Sequence, residues 1–309
     1  MTTSVKSKRK RPSGAHRDAS TTTLAMVGFF DLLGFSDRVE NIETEGDLRA
    51  IAGDVDSIRQ RFEYHSTNRW IHDVHRILDK TVLAFSDCVV TAVSLETEMV
   101  ATEGHFDVLG SEIWDIAISQ SRCTLDGHFL RGGIDIGYWY YDKAKDLLVS
   151  PAMVRAYKEE HDKACYPVIA ISDQLYRFLR DHPLRKVYSK DADPFPDQFS
   201  SFKHPKSGKR VRFINYLRLV APSLDWQYDK ATRDAYMALP RDSDERDRIM
   251  TEGYTRNLVD FFERHKAMIT AACRAANKNV KEKYYFLAKY HNSELKRFLS
   301  KRDDLRIKL

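Results

Sequence analysis

The longest apolar stretch in this chain runs from Leu24 to Phe30 and stops abruptly at Asp31. A membrane-crossing helix needs about 18 or more consecutive apolar residues, so no spanning helix is expected. A short apolar run that ends on a carboxylate reads instead as a buried strand, with Asp31 held at its end. Leu32-Leu-Gly-Phe-Ser36 then turns the chain. Lys80–Phe85 and Cys88–Val93 are two more strand-like runs, separated only by Ser86-Asp87, the signature of a hairpin. Phe129-Leu-Arg-Gly-Gly-Ile-Asp-Ile-Gly137 is a strand whose glycines suggest close backbone approach. Tyr166–Ser172 and Arg210–Leu217 complete the set of expected strands.

Helical spacing fills the gaps. It covers residues 36–66 with a break near Gly46, then 97–123, then 151–162. Strands alternating with helices, hairpin included, predict an α/β or α+β sheet with helices on one face. The segment from Asp191 to Lys209 is rich in turn residues and is expected to loop out. Beyond Pro222 the character changes: residues 224–309 hold one proline and one glycine among helically spaced apolar positions. The expected division is a basic tail over 1–22, a sheet domain over 23–222 and a helical region over 223–309.

The net charge of +5 is unevenly placed. Residues 1–20 hold six Lys/Arg against Asp18 alone, without an apolar period, which reads as a disordered tail. Residues 264–309 are also basic, with thirteen Lys/Arg against four Asp/Glu. The basic start could touch nucleic acid or anionic lipid, but a solubilising leader without a specific partner is the simpler expectation. No apolar region follows it, so a secretion signal is not expected. With 42% apolar residues the chain can bury a core, so global disorder is excluded. Cys88, Cys123, Cys165 and Cys273 lie far apart and form no C-x-x-C pair. That spacing argues against a zinc knuckle or disulfide framework and for a reducing cytoplasm.

Three short segments carry chemistry. In Phe29-Phe-Asp-Leu-Leu-Gly-Phe-Ser36, a carboxylate leaves a buried strand where a hard cation could be shared with a phosphate. The turn after it offers backbone N–H groups near a helix start. In Phe85-Ser-Asp-Cys88, Asp87 sits at a hairpin tip. Were the two strand ends neighbours, Asp31 and Asp87 would converge and repel unless a divalent ion neutralised them. That is the pattern of a two-metal clamp on a phosphoryl group, with ions about 3.5–4 Å apart. In Leu130-Arg-Gly-Gly-Ile-Asp-Ile-Gly137, Arg131 on a rigid strand suits a polyphosphate. Each segment also has an ordinary reading: a helix cap, a turn aspartate, a bulged surface strand. Asp135 and Asp142 are expected to be only solvated or turn residues.

In this order the segments resemble the class III nucleotidyl cyclases. That family opens with F-x-D-[IL]-x-G-[FS]-[ST], places a second aspartate at a hairpin tip and follows with R-x-G-I-x-x-G. A closer resemblance is to the pyrimidine cyclases of bacterial Pycsar anti-phage systems. It rests on the F-F-D-x-L-G-F-S opening, on F-S-D at the hairpin, on Ser150-Pro-Ala-Met-Val-Arg-Ala-Tyr-Lys-Glu159 and on Lys283-Tyr-Tyr-Phe-Leu-Ala-Lys-Tyr-His-Asn292. What the resemblance implies is an α+β cyclase homology domain, a ferredoxin-like or palm-type antiparallel-rich sheet with helices, carrying a C-terminal helical appendage. Asp31, Asp87 and the Leu32 carbonyl would hold two Mg²⁺ or Mn²⁺ ions per site, one of them assisting loss of the ribose 3′-OH proton. The N–H groups of Leu33, Gly34, Phe35 and Ser36 would cradle the phosphates of a nucleoside triphosphate, and Arg131 would bind them.

Two positions depart from the purine-specific pattern. The transition-state arginine matches Arg155 by spacing, but Tyr157 by local context. Leu83, four residues before Asp87, stands where lysine or glutamate usually reads a purine edge, so base recognition must be rebuilt. Tyr64 is a candidate aromatic contact to the base. The implied activity is conversion of UTP, or CTP, to the 3′,5′-cyclic monophosphate and pyrophosphate, with the product signalling to a separate cyclic-nucleotide-sensing effector. Since the chain shows one such domain and no repeat, a homodimer with shared sites is implied. A purine cyclase and an inactive nucleotide-binding module remain alternatives. The tryptophans are expected in the core or at a dimer contact, and no specific nucleic acid is expected.

Overall fold

The structure, a computed structural model, describes residues 20–63, 79–224 and 230–309. Tyr64, Trp70, Trp226 and the basic start lie outside them. The strands are β1 (Ser20–Leu32), β2 (Lys80–Phe85), β3 (Cys88–Ser94), β4 (Leu130–Asp142), β5 (Leu147–Val149), β6 (Ile169–Ile171), β7 (Phe199–Lys203) and β8 (Arg210–Ile214). They form one sheet in the order β2-β3-β1-β4-β6-β8-β7, with β5 against β4. Every pairing is antiparallel except β4 with β6. The architecture is α+β, as expected.

Helices cover both faces of the sheet, which corrects the one-face expectation. Along β1 the side chains alternate with the pleat. Met26 and Phe30 enter the large core, with Ile58 and Phe62 of α2 (Glu45–Phe62) and Leu109, Ile113 and Ile116 of α4 (His105–Leu125). Ala25, Val27 and Phe29 enter a smaller core on the other face, with Ala152 and Ala156 of α5 (Pro151–Lys163). Gly133 lets α5 lie that close: a Cβ there would stand 2.1 Å from the Ala156 carbonyl oxygen.

Local chemistry moved several expected boundaries. Gly46 lies within the first turn of α2, and the break falls before Thr44, whose side chain forms a capping box with Asp47. The long helix over 97–123 is two, α3 (Glu98–Glu103) and α4, jointed at Gly104 with φ of +88°. The expected loop after Asp191 contains α7 (Phe195–Gln198) and β7, because Phe199-Ser-Ser-Phe-Lys203 pairs along its whole length with β8. Ahead of this segment, α6 (Asp173–Arg180) follows β6. Of the two described tryptophans, Trp139 is buried and Trp114 is exposed.

After β8 come α8 (Tyr216–Val220), α9 (Lys230–Ala238), α10 (Asp244–Ala275) and α11 (Lys278–Phe298). These helices bury Phe262, Ile269, Leu287 and Leu295 in the same core as Ile134 and Phe213 of the sheet. α11 reaches the ends of β4 and β6 through aromatic rings. Tyr284 meets Phe129 edge to face at 5.1 Å, and Phe286 stacks on Tyr166 at 4.1 Å.

Candidate active site

The sheet register brings three residues into one row. Asp31 at the end of β1 lies opposite Cys88 of β3 on one side and Arg131 of β4 on the other. The β2–β3 hairpin closes through Ser86 and Asp87, Ser86 adopting a φ of +57°, so that Asp87 turns back beside Asp31. One ligand atom from each of Asp31, Asp87 and Cys88 falls within 4.8 Å of the other two. The two aspartates singled out in the sequence therefore converge, 56 residues apart along the chain.

The cluster is electrostatically uneasy. Burial raises the Asp31 pKa above the ordinary carboxylate value, the Arg131 guanidinium opposes this and the facing Asp87 adds to it. Arg131 Nη2 lies 2.6 Å from Asp31 Oδ2 and 2.9 Å from Glu160 Oε1. The second contact is an ion pair without hydrogen-bond alignment, leaving Glu160 Oε1 and Arg131 Nε buried without hydrogen-bond partners among the described residues. Burial also raises the Glu160 pKa, against Arg131 and with Asp31. Two carboxylates, Asp31 and Glu160, thus share one guanidinium, and Asp87 adds a third negative charge beside Asp31.

The donor set fits a hard divalent cation. Such ions take carboxylate and carbonyl oxygens, and Asp31 and Asp87 supply them side by side. The third member does not belong to that set. Burial, then the charges of Asp87 and Asp31, push the Cys88 thiol far above its ordinary pKa, so it keeps its proton.

The remaining expected residues fall in two groups. Gly34, Phe35 and Ser36 lie at the amino end of α1 (Phe35–Glu40), where Gly34 takes a φ of +82° that favours glycine. Leu33 requires a correction: its N–H donates to the Phe129 carbonyl at 2.9 Å and is not free to cradle a phosphate. Leu83 packs into the smaller core, on the face that also carries Phe29 and Trp139.

Arg155 is not brought to the cluster within one chain. Its Nε donates to Asp135, and its Nη2 donates to the Ile136 carbonyl at 2.8 Å. Asp135 lies four residues beyond Arg131, about 13 Å along the strand. It is fully buried and also accepts the Ser172 hydroxyl, so it is neither solvated nor a turn residue. Asp142 behaves as expected of a turn residue, accepting the N–H groups of Ala144 and Lys145.

Sequence reasoning missed Glu160 and Asp135. A signal existed for each. Period two along β4 puts residues 131, 133, 135 and 137 on the face under α5, and Glu160 lies one turn past Ala156 on the sheet-facing side of that helix.

No protein-family model and no curated protein matches the sequence. Among solved structures, the adenylyl cyclase CyaB from P. aeruginosa is similar with a TM-score of 0.36 and 14% identity, over 63% of this chain and 93% of its own. The guanylyl cyclase domain of the RhoGC fusion protein from Blastocladiella emersonii gives 0.41 and 12%, over 63% and 96%. A class III adenylyl cyclase-like ATP-binding protein from Pseudomonas aeruginosa gives 0.36 and 16%, over 60% and 42%. At such distances, what this chain does has to be read from its own residues.

Proposed function

We propose that the chain is a nucleotidyl cyclase, acting on a pyrimidine triphosphate, UTP before CTP. The observation that supports the reading best is the convergence of Asp31 and Asp87 beside Arg131. Asp31, Asp87 and the Leu32 carbonyl would hold divalent cations, Mg²⁺ or Mn²⁺. When bound, these ions neutralise the triphosphate and favour the ionised 3′-oxygen.

The chain's own residues then have separable tasks. Asp31 pairs with Arg131; with its carboxylate committed to a cation, the guanidinium, still beside Glu160, would be available to grip a phosphate. The N–H groups of Gly34, Phe35 and Ser36 would meet the same phosphates. In the reaction the 3′-hydroxyl loses its proton, its oxygen bonds to the α-phosphorus, and the bond from that phosphorus to the pyrophosphate breaks. Positioning and charge neutralisation carry such a step. Leu83 supports the pyrimidine assignment by negative argument: an apolar wall cannot satisfy a purine edge, and an unpaired polar edge costs about 1–3 kcal/mol.

The dimer is part of the same reading. Phe85, Val154 and Tyr157 are exposed side chains, the first beside Asp87 and the others on α5, where Tyr157 also packs edge-on against Phe29. A second copy covering them would form two equivalent sites. Arg155 keeps one nitrogen, Nη1, outside its bonds to Asp135 and Ile136, and we assign that nitrogen to the shared site. The product would act on a separate effector in anti-phage signalling.

The test is incubation with each of the four nucleoside triphosphates and Mn²⁺, with products identified by mass spectrometry. Cyclic UMP should form fastest. A larger kcat/KM with ATP or GTP would replace the pyrimidine reading with the purine one. Binding without turnover of any triphosphate would point to an inactive nucleotide-binding module. Mixing inactive Asp87→Ala and Arg155→Ala chains should restore activity if the site is shared, and silence in verified mixed dimers removes Arg155 from it.

A further inference from the structure

The C-terminal helix α11 carries a lysine into the neighbourhood of the aspartate cluster. Its rings fix where it lies: Tyr284 packs on Phe129 and Phe286 stacks on Tyr166. Phe129 also accepts the Leu33 N–H, so the turn that follows Asp31 and the first half of α11 are tied to the same residue. Lys283, the residue before Tyr284 and three before Phe286, is consequently half-buried and lies within electrostatic range of Arg131, Asp31, Glu160 and Cys165. Among the described residues it forms no ion pair with any of them.

A half-buried ammonium with no partner is poorly placed in a resting protein. The arrangement becomes favourable when an anion enters between the two cations. Once cations occupy Asp31 and Asp87, the negative charge that remains near Arg131 and Lys283 is Glu160.

We propose that Lys283 is a phosphate-binding residue of this site, gripping the polyphosphate arm of the substrate together with Arg131. The inference rests on the cyclase reading for its substrate, and it gives the C-terminal helices a direct part in substrate binding. A lysine supplies a point charge with rotatable donors, suited to phosphate oxygens without fixed directionality.

The probe is inorganic tripolyphosphate with Mn²⁺, titrated calorimetrically into the full chain and into Lys283→Ala, Lys283→Arg and Lys283→Met, alongside KM for UTP. Loss of a charge-assisted contact should weaken tripolyphosphate binding and raise KM by about tenfold or more in the Ala and Met variants. Arg should recover most of it. Unchanged affinity and KM in Lys283→Ala overturn the proposal. So does a Lys283→Met variant that binds like the wild type, because the role would then be packing of the stem. Absence of tripolyphosphate binding by the wild type overturns it as well. A wild type that binds tripolyphosphate in a Lys283-dependent way yet cyclises no triphosphate defeats the cyclase reading and leaves this one standing. An active cyclase whose KM ignores Lys283 does the reverse.

Discussion

Two polar clusters in this fold solve the burial of polar groups in opposite ways. The cluster at the end of β1 gathers Asp31, Asp87 and Glu160 around Arg131 and leaves buried atoms unpaired. The other joins α8, α10 and α11 through Tyr216, His265 and His291 and pairs every group. His291 Nε2 can only donate to the Leu305 carbonyl, at 3.1 Å, so neutral His291 must accept at Nδ1. His265 Nδ1 donates to it at 2.9 Å, and His265 Nε2 accepts the Tyr216 hydroxyl at 2.7 Å. Four groups form one directed chain with neutral rings throughout. Beside it, Tyr290 donates to Asn215 and accepts from the Leu217 N–H, while Asn292 exchanges two bonds with Ile307. A buried network satisfied this fully serves the fold, whereas one left in conflict is poised for a ligand.

Removing one member should separate the two roles most sharply. Asp31→Ala or Asp87→Ala is expected to lower turnover by orders of magnitude, because either loss dismantles the cation site, while the circular-dichroism spectrum and melting cooperativity are kept. Substantial activity in either variant would remove the carboxylate pair from the mechanism. In the other cluster the expectation reverses. His291→Ala should cost about 3–5 kcal/mol in urea unfolding, from the cavity and from two stranded buried groups, His265 Nδ1 and the Leu305 carbonyl. A loss well under 1 kcal/mol would show that the chain of bonds contributes little.

How much of this was legible differs between the clusters for a physical reason. Asp31, Asp87 and Arg131 stand at ends and turns of short, strongly patterned strands, where a local motif fixes the side chain's place. Six of the sheet's eight strands and its hairpin were legible on the same grounds; the short β5 and β7 were not. The Tyr-His-Asn run at the end of the Lys283–Asn292 motif was visible as a string, but its partners lie 14 to 75 residues away and no periodicity points to them. Lys283 illustrates the limit best. It is the first letter of that motif, yet nothing in the string says what it neighbours; the packing of Tyr284 on Phe129 brings its helix beside the start of β4. The second helical face of the sheet escaped because β1 and β4 bury both sides, and a continuous apolar run does not say how many layers cover it.

Acid should move the clusters in opposite directions. Burial lowers the pKa of His265 well below the ordinary imidazole value and that of His291 to about 4. The unfolded chain therefore binds protons near pH 6.5 that the folded chain refuses. This part of the stability is complete above that pH and declines as pH falls from about 6.5 to about 4, by roughly 3 kcal/mol for His291 alone. Asp31 and Glu160 have raised folded pKa values, so the folded state takes up their protons first and acid relieves their mutual strain. Urea midpoints measured from pH 7.5 to 5 should fall for the wild type and fall less for His291→Gln. Equal slopes would mean that the histidines are not kept neutral by burial.

The smallest expected effect is the most informative about the aspartate cluster. Asp87→Asn keeps the size and turn preference of the residue at the hairpin tip, so Ser86 retains its left-handed backbone and the β2–β3 pairing is undisturbed. It removes one of two facing carboxylates while leaving Asp31 paired with Arg131 at 2.6 Å. Like charges at a partly buried site repel by an amount that burial enlarges and Arg131 partly offsets, so the variant should be more stable by about 0.5–1 kcal/mol. Its turnover should nonetheless vanish. The gain should shrink when the wild type is measured with saturating Mn²⁺, because a bound cation removes the same repulsion and stabilises the native state by mass action. A variant that is less stable than the wild type without metal would show that Asp87 is held by contacts worth more than the repulsion, and the cluster would then be an ordinary hairpin turn beside an ion pair.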